Sequence, residues 1–470
     1  MHRLILTLLA IVLLATALPT AAQTPAITTT LYVPIVASHA IRPLGFETNP
    51  SWLYSSQVKP HAQALNAHWV RLNTLSWREA QPTPTSPINW SASSFQIFEQ
   101  EVLAANELGL QVMAIIDDHP SWATNKPLNC APILDQYHAK FAEFVSEVVR
   151  KYSQYPYYVR YWELGNEPDV AVQLVGADIP YGCWGDVNDN YYGGERYGRM
   201  LQVVAPAIRN VDPGAKIVIG GLLLDNPGTN NLKEPADFFE GILRSGATPY
   251  FDIVAFHSYP IYVPINGNWQ VDYDLERDTW KNRGGMTIGK IKYLREVMTR
   301  YGVSKPLFLN ETGLRCNPSW ATCGDNLYQM QANILIRSSI RAISLGVEAY
   351  MWYTLDGPGW QSAGLLDGNQ QPKPAYNAMQ FAIQRLNEVR IPPQAFNGYG
   401  SGLEAYRFQG NGFVLDVVWS VDGTPRQITL PASSFIAAYT RDGASITPTM
   451  SGTMATINVG FENIYLKRQP

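Results

Sequence analysis

Short apolar runs alternate with amphipathic stretches along the chain from residue 42 to residue 387. The apolar runs have the length of single strands and are almost continuously hydrophobic, as in a parallel sheet that is buried on both faces. The eight predicted strands are residues 43–47, 69–75, 111–117, 158–164, 216–222, 251–257, 306–311 and 348–352. Between them, apolar residues recur every three or four positions, which is typical of helices. The clearest predicted helices are residues 95–108, 137–152, 195–210, 288–301, 327–345 and 376–386.

Eight strand–helix units in succession predict an α/β fold, a (β/α)8 TIM barrel with some long loops, over residues 42–390. An open, doubly wound sheet is the alternative fold. Such a sheet normally carries a glycine-rich phosphate-binding turn after an early strand, and the sequence contains no such turn. The barrel is therefore the preferred prediction.

The chain changes character after Ile391-Pro392-Pro393. Short β-type runs are separated by Gly, Asp, Asn and Pro, which is typical of a small antiparallel β-sandwich. The predicted strands are residues 403–408, 412–421, 426–430, 434–439, 454–459 and 463–467. We expect a C-terminal domain over residues 395–470, serving either as a packing partner for the barrel or as a carbohydrate-binding module.

The N-terminus has the pattern of a secretory signal peptide. His2 and Arg3 precede an apolar stretch over residues 4–18, and small residues follow at positions 20–22. This stretch is short for a membrane span, which needs about 20 apolar residues. We expect a signal peptide over residues 1–22, a lead-in over residues 23–41, and a secreted protein without a membrane anchor.

Composition and charge narrow the range of functions. Hydrophobic residues at 46% and charged residues at 16% describe a globular protein with a large core. A net charge of −4 gives no electrostatic basis for binding nucleic acid or anionic lipid. The 13 Trp and 26 Tyr suit a carbohydrate cleft, because sugar rings stack on aromatic faces, although large aromatics also fill cores.

The four cysteines fit an oxidising compartment. Cys316 and Cys323 lie seven positions apart in one predicted loop, so a local disulfide is the natural expectation. Cys130 and Cys183 remain, and sequence alone cannot choose among the three possible pairings. A zinc site is disfavoured because the chain has no C-x-x-C pair.

Two glutamates stand at the ends of predicted strands. Glu167 follows the fourth strand in Trp162-Glu163-Leu164-Gly165-Asn166-Glu167-Pro168, and Glu311 ends the seventh in Leu309-Asn310-Glu311-Thr312-Gly313. The strand ends of a barrel converge on one face, which carries the active site. Two carboxyl groups facing one bound sugar are the minimum requirement for cleaving a glycosidic bond.

These two motifs resemble those of the retaining β-glycosidases of glycoside hydrolase clan A. With the trailing β-domain, the chain looks most similar to family 39, and family 5 is the second choice. The resemblance spans the barrel and implies that Glu167 is the acid/base and Glu311 the nucleophile. In such a pair, different environments keep one carboxyl protonated and the other ionised.

The resemblance also implies roles for residues around the two glutamates. Arg71, on the second strand, would support the nucleophile, because a cation there helps to keep Glu311 ionised. Asn166 would bind the 2-hydroxyl of the sugar, an interaction that strengthens in the transition state. The wall and floor of the sugar subsite would be formed by His119, His257, Tyr259 and Trp352.

Several of these positions have a structural alternative. His257 and Trp352 would also suit the barrel core, and Glu163 is interpreted as a buried structural partner. Four tryptophans in predicted loops are candidate platforms for further sugars: Trp122, Trp184, Trp320 and Trp360.

The sequence favours a secreted retaining glycoside hydrolase that acts on a β-linked glycan, with slight preference for internal cleavage. We expect it to need no metal and no organic cofactor. A metal-dependent hydrolase would need a ligand cluster such as H-x-H, and the seven histidines contain no such pair. A non-catalytic carbohydrate-binding barrel is the alternative function. The glycan and the oligomeric state stay open.

Overall fold

The computed structural model describes residues 42–124, 131–173, 182–227, 232–263, 270–276 and 279–470. The predicted signal peptide and the lead-in, residues 1–41, lie outside these ranges. Cys316 and Cys323 form the expected disulfide. Cys183 is also disulfide-bonded, and Cys130 lies outside the described residues.

Eight parallel strands close into a barrel in sequence order, which confirms the predicted fold class. The strands are β1 (Leu44–Thr48), β2 (Trp69–Ser76), β3 (Gln111–Asp117), β4 (Tyr161–Leu164), β5 (Lys216–Leu222), β6 (Ile253–Ser258), β7 (Leu307–Thr312) and β8 (Val347–Trp352). Apolar side chains fill the barrel interior, among them Trp69, Met113, Val218, Phe308 and Met351. They form a packed floor below the strand ends that carry the candidate site.

The barrel helices lie mostly where the periodicity predicts them. They are α1 (Lys59–Leu65), α2 (Trp77–Ala80), α3 (Ser93–Glu107), α4 (His138–Tyr152), α5 (Gly194–Val211), α6 (Asp237–Arg244), α7 (Met286–Arg300), α8 (Asp325–Ser344) and α9 (Pro374–Leu386). The periodicity gives no bounds for the short helices α1, α2 and α6, since few turns give a weak periodic signal. None of the helices in the described ranges is long and apolar enough to cross a bilayer.

Strand β4 begins three residues later than predicted. Tyr158 has a φ of 55° in the left-handed region, which a strand cannot accommodate. Its ring is half exposed, so the apolar run there belongs to a turn before the strand.

The C-terminal segment forms antiparallel sheets, as predicted. One sheet has the order β13-β16-β11-β10-β9 and the other β12-β15-β14. Their strands are β9 (Gln394–Ala395), β10 (Leu403–Gln409), β11 (Val414–Ser420), β12 (Arg426–Pro431), β13 (Phe435–Thr440), β14 (Thr449–Ser451), β15 (Met454–Val459) and β16 (Ile464–Arg468). The two that the pattern misses, β9 and β14, are too short to show alternation.

Candidate active site

Arg71 is the centre of the polar cluster at the strand ends. Its side chain is fully buried and lies on β2 in register with Glu47 of β1. The Nε and Nη2 atoms donate to the two oxygens of Glu163, at 2.8 and 2.9 Å. Nη1 donates to Glu47, at 2.6 Å, and to Glu311. One guanidinium therefore holds three carboxylates in fixed positions, as its planar fork allows.

Glu311, at the end of β7, receives a second hydrogen bond besides that from Arg71. The hydroxyl of Tyr259 donates to its Oε1 at 2.5 Å. Hydrogen bonds and a cation stabilise the ionised form of a carboxyl group. The surroundings of Glu311 are thus those of a carboxylate.

Glu167 lies in the turn after β4 and has the opposite environment. Its backbone adopts a φ of 49°, a left-handed conformation that is uncommon outside glycine and that recurs at functional sites. Burial raises the pKa of Glu167 to about 7, against the lowering effects of Arg71 and Lys290. A substantial fraction of this carboxyl group is therefore protonated at neutral pH.

His257, near the end of β6, lies between the two glutamates. Its Nδ1 is 2.9 Å from Oε1 of Glu167, and its Nε2 is 3.7 Å from Oε2 of Glu311. Burial lowers the pKa of His257 to about 4, so the imidazole is neutral at neutral pH. Carboxylate oxygens of Glu167 and Glu311 and a ring nitrogen of His257 all lie within 4.8 Å of one another.

Asn166 is held by Arg71, whose Nη2 donates to its Oδ1 at 2.8 Å. Its backbone N–H donates to Asp117 at 3.3 Å. His119 is buried and does not line the described cleft. Its Nε2 is 3.7 Å from Asp117, and its Nδ1 is 3.0 Å from the carbonyl oxygen of Ala131. Burial lowers the pKa of His119 to about 4, so its ring is neutral.

Trp352 does not line the described cleft. Its indole is fully buried, and its N–H donates to the carbonyl oxygen of Ala363 at 2.8 Å. The neighbouring Tyr353 lines the cleft instead. Successive side chains of a strand point to opposite sides, so a shift of one position separates the core residue from the cleft residue.

The strand ends surround an open cleft of about 500 Å³. Four of the expected site residues line it: Asn166, Glu167, Tyr259 and Glu311. Eight further polar or aromatic residues of the lining were not predicted: Glu47, Thr48, Asn49, Asn73, Asp225, Lys290, Arg315 and Tyr353. Glu47 and Tyr353 lie at or just after strand ends, which is the one sequence signal that could have found them.

The four loop tryptophans have different positions. Trp360 lines the cleft and meets the ring of Tyr259 edge-on at 5.6 Å. Trp320 is exposed in the disulfide-bonded loop. Trp184 is fully buried, and Trp122 is partly buried with its N–H bonded to the carbonyl oxygen of Gln81.

The cluster of two carboxylates and one imidazole could also ligate a divalent cation, because these are oxygen and nitrogen donors at close spacing. The same groups fit acid–base and nucleophilic chemistry without a metal. A chelator is therefore a useful control in any activity assay.

Comparisons with known proteins bear on the family and the fold of the chain. A family model described as cellulase (glycosyl hydrolase family 5) matches residues 38–342. The structure resembles that of a family 39 glycoside hydrolase from Bacteroides cellulosilyticus WH2, with a TM-score of 0.67 and 17% identity over 92% of this chain and 82% of that one. It also resembles a family 30 endoxylanase from Clostridium papyrosolvens C71, with a TM-score of 0.59 and 12% identity over 92% and 97% of the two chains.

A family 51 α-L-arabinofuranosidase from Bifidobacterium longum is similar too, with a TM-score of 0.57 and 13% identity over 92% and 96% of the chains. A search of curated proteins finds no match. At these identities the structural likenesses establish the fold, and the family model establishes the family. The resemblance to clan A that the motifs indicate is confirmed. The match extends over more than half of the sequence, and the chain belongs to glycosyl hydrolase family 5.

Proposed function

We propose that this glycosidase is a secreted, retaining, endo-acting enzyme that cleaves β-linked polysaccharide or oligosaccharide by double displacement. Glu167 is its acid/base and Glu311 its nucleophile. The observation that carries the proposal is the approach of their carboxylate oxygens to within 4.8 Å. Retaining glycosidases have carboxyl groups about 5–5.5 Å apart, whereas inverting enzymes need about 6.5–9.5 Å to admit a water molecule.

In the first step, an oxygen of Glu311 attacks the anomeric carbon while Glu167 donates its proton to the leaving oxygen. The products are a glycosyl ester on Glu311 and the released alcohol. The environments support this division of roles, because Arg71 and Tyr259 stabilise Glu311 as an anion and burial keeps a proton on Glu167.

In the second step, Glu167 is ionised and removes a proton from water, which attacks the anomeric carbon and releases Glu311. His257 is neutral and forms a hydrogen bond with Glu167 through Nδ1. It can stay neutral while Glu167 changes between its protonated and ionised forms. Asn166 is positioned by Arg71 to meet the 2-hydroxyl, where bonding strengthens at the transition state.

The cleft supports internal cleavage of a longer glycan. It is open to solvent, and Trp360 presents a half-exposed indole beside Tyr259 for stacking on a sugar. Secretion is supported by the N-terminal pattern of a short apolar stretch after positive residues. The similar structures act on different sugars, since one is an endoxylanase and another an α-L-arabinofuranosidase, so fold alone does not select the glycan.

The test is a reducing-end assay of the wild type and Glu311→Gln on purified β-glucan, xylan, mannan and galactan, with and without a chelator. Release of new reducing ends by the wild type alone supports the proposal. Oligosaccharide products indicate internal cleavage, and monosaccharide as the first product contradicts it. Binding of a glycan without any hydrolysis would favour the alternative, a carbohydrate-binding barrel.

A further inference from the structure

Glu47 occupies a position in the cleft to which the double-displacement chemistry assigns no role. It lies near the end of β1, is 4% exposed, and lines the cleft together with Glu167 and Glu311. Its Oε2 accepts a hydrogen bond from Nη1 of Arg71 at 2.6 Å. That bond engages one of its two carboxylate oxygens, and the other has no partner among the contacts of the described residues.

The position of β1 in the barrel decides which part of the substrate Glu47 can meet. In a closed ring of eight strands, β4 faces β8 across the mouth, and β1 is the neighbour of β8. Glu167 follows β4 and protonates the leaving group, so the leaving group lies on that side. The glycone sugar then extends toward β8 and β1, and its hydroxyls remote from the scissile bond approach Glu47.

The wall of the cleft that carries Glu47, residues 47–51, is held in place by hydrogen bonds. The backbone N–H of Leu355 donates to the carbonyl oxygen of Glu47 at 2.7 Å. Just beyond it, buried Asp356 accepts hydrogen bonds from the backbone and the side chain of Asn49, at 2.9 and 2.6 Å. Buried Glu101 accepts another from the backbone N–H of Ser51 at 2.9 Å. A side chain on a fixed wall can discriminate between sugars that differ in one hydroxyl.

Burial favours a protonated carboxyl group at Glu47, against the lowering effect of Arg71 on its pKa. Arg71 on β2 is the cation that it faces, and Glu163 on β4 and Glu311 on β7 compete for the same guanidinium. Tyr353 after β8 and Tyr259 after β6 are also close enough for the charge of Glu47 to raise the pKa of their hydroxyl groups. Burial, more than the neighbouring carboxylates, raises the pKa of Glu47 to about 8. At neutral pH it can therefore donate a hydrogen bond as well as accept one.

We propose that Glu47 is a specificity-determining residue, which binds a hydroxyl of the glycone sugar at the end remote from the scissile bond. The inference rests on the proposed function and adds to it a contact that selects the sugar. The contact belongs to substrate recognition, and no bond is formed or broken at Glu47.

The test uses 4-nitrophenyl β-glycosides of glucose, galactose, mannose and xylose. The wild type identifies the best of the four, and its 3-deoxy and 4-deoxy analogues are then compared with the parent. Glu47→Ala should lower kcat/KM on the parent about 10- to 100-fold, the range for one hydrogen bond to a polar buried group. The loss should nearly vanish on the analogue that lacks the recognised hydroxyl.

Two further variants separate recognition from structure. Glu47→Asp withdraws the carboxyl group by one methylene and should give the same selective loss. It replaces Glu47→Ala in the test if that variant does not fold. Glu101→Gln perturbs the same wall from outside the cleft and should affect the parent and both deoxy analogues equally. Equal losses on the parent and both analogues in the Glu47 variants would overturn the inference. Failure of the wild type on every aryl glycoside and every glycan would instead refute the proposed function, and this inference with it.

Discussion

Arg71 organises the site at the scale of single residues. Glu47, Glu163 and Glu311 all bind to it, and its Nη2 also fixes Asn166. Three buried carboxyl groups share one guanidinium, so at least one of them is stable only as the neutral acid or with help from other donors. Of these three, Glu47 has its pKa raised by burial to about 8, so it can carry a proton at neutral pH.

Glu311→Ala should abolish turnover, because no carboxylate remains to attack the anomeric carbon. Azide fits the space that the side chain leaves and attacks from the same face, so it should restore product formation from an activated aryl β-glycoside. The product should be the α-glycosyl azide, which NMR identifies. A β-configured azide would contradict the assignment of Glu311 as nucleophile.

Glu167→Ala should harm substrates with poor leaving groups far more than activated aryl glycosides. A nitrophenolate leaves without a proton, whereas a sugar alkoxide needs one, and general acid catalysis contributes about 10²- to 10⁴-fold. The measurement is kcat/KM over a series of aryl glycosides of increasing leaving-group pKa. A uniform loss across the series would argue against Glu167 as the acid.

The pH dependence of kcat/KM tests the same assignment of Glu167 as the acid. Burial raises the pKa of Glu167 to about 7, and the proton must be present in the first step. The wild-type kcat/KM should therefore be sustained below pH 7 and fall as the pH rises through about 7. With an activated substrate, the alkaline limb should disappear in Glu167→Ala. Persistence of that limb would assign it to another group.

At the scale of elements, strand β5 carries two glycines just before its last residue, because the site-bearing segments on either side approach its backbone. A Cβ on Gly220 would lie 2.5 Å from the carbonyl oxygen of Gly165 in the turn that leads to Glu167. A Cβ on Gly221 would lie 1.9 Å from Nε2 of His257. The backbone N–H of Gly221 also donates to Glu163 at 2.9 Å. The glycines of β5 thus serve the site by letting neighbouring segments pack closely against the backbone of the strand.

Gly221→Ala should lower kcat by at least about tenfold, because the added methyl group displaces the His257 ring from Glu167. The displacement should also shift the alkaline limb of the pH profile, since Glu167 loses a neighbour. Gly368→Ala is the control, as a Cβ there meets no atom within 4 Å. Unchanged kinetics in folded Gly221→Ala would show that His257 does not support Glu167.

At the scale of the whole molecule, a buried ion cluster joins the barrel to the C-terminal sheets. Arg341 of α8 binds Glu404 of β10 at 2.6 and 2.9 Å, and it also binds Asp272 and Asp274 of the segment between β6 and α7. Asp274 in turn accepts hydrogen bonds from Thr287 in the first turn of α7. The C-terminal domain is therefore linked through charged groups to the helix that carries Lys290 to the cleft.

Arg341→Ala should lower the free energy of unfolding by about 3–5 kcal/mol, because it leaves buried carboxylates without their cation. Denaturant unfolding measures the change. Lys140→Ala removes an exposed ion pair with Glu143 and should change stability by less than about 1 kcal/mol. Equal stability of the two variants would mean that the carboxylates are compensated without Arg341.

The hydrophobic pattern predicted the eight barrel strands and their order because burial on both faces leaves a continuous apolar run wherever a strand occurs. Several strand ends are displaced by a few residues, as at Tyr158, where a left-handed backbone delays the start of β4. The bounds of the short helices could not be predicted for a related reason, since α6 has only eight residues. Periodicity needs several turns to become visible.

The sequence alone determined the fold class, the two glutamates at strand ends and the clan, because these depend on local periodicity and on short motifs. Only the tertiary structure decided that Glu47 lies in the cleft and that Tyr353, rather than Trp352, lines it. The orientation of a side chain at a strand end depends on the registers between neighbouring strands, and these shift between β7 and β8. The hydrogen bond from Arg71 to Glu163 joins positions 92 residues apart. Closure of the barrel creates such pairs, and the local pattern of a chain carries no information about them.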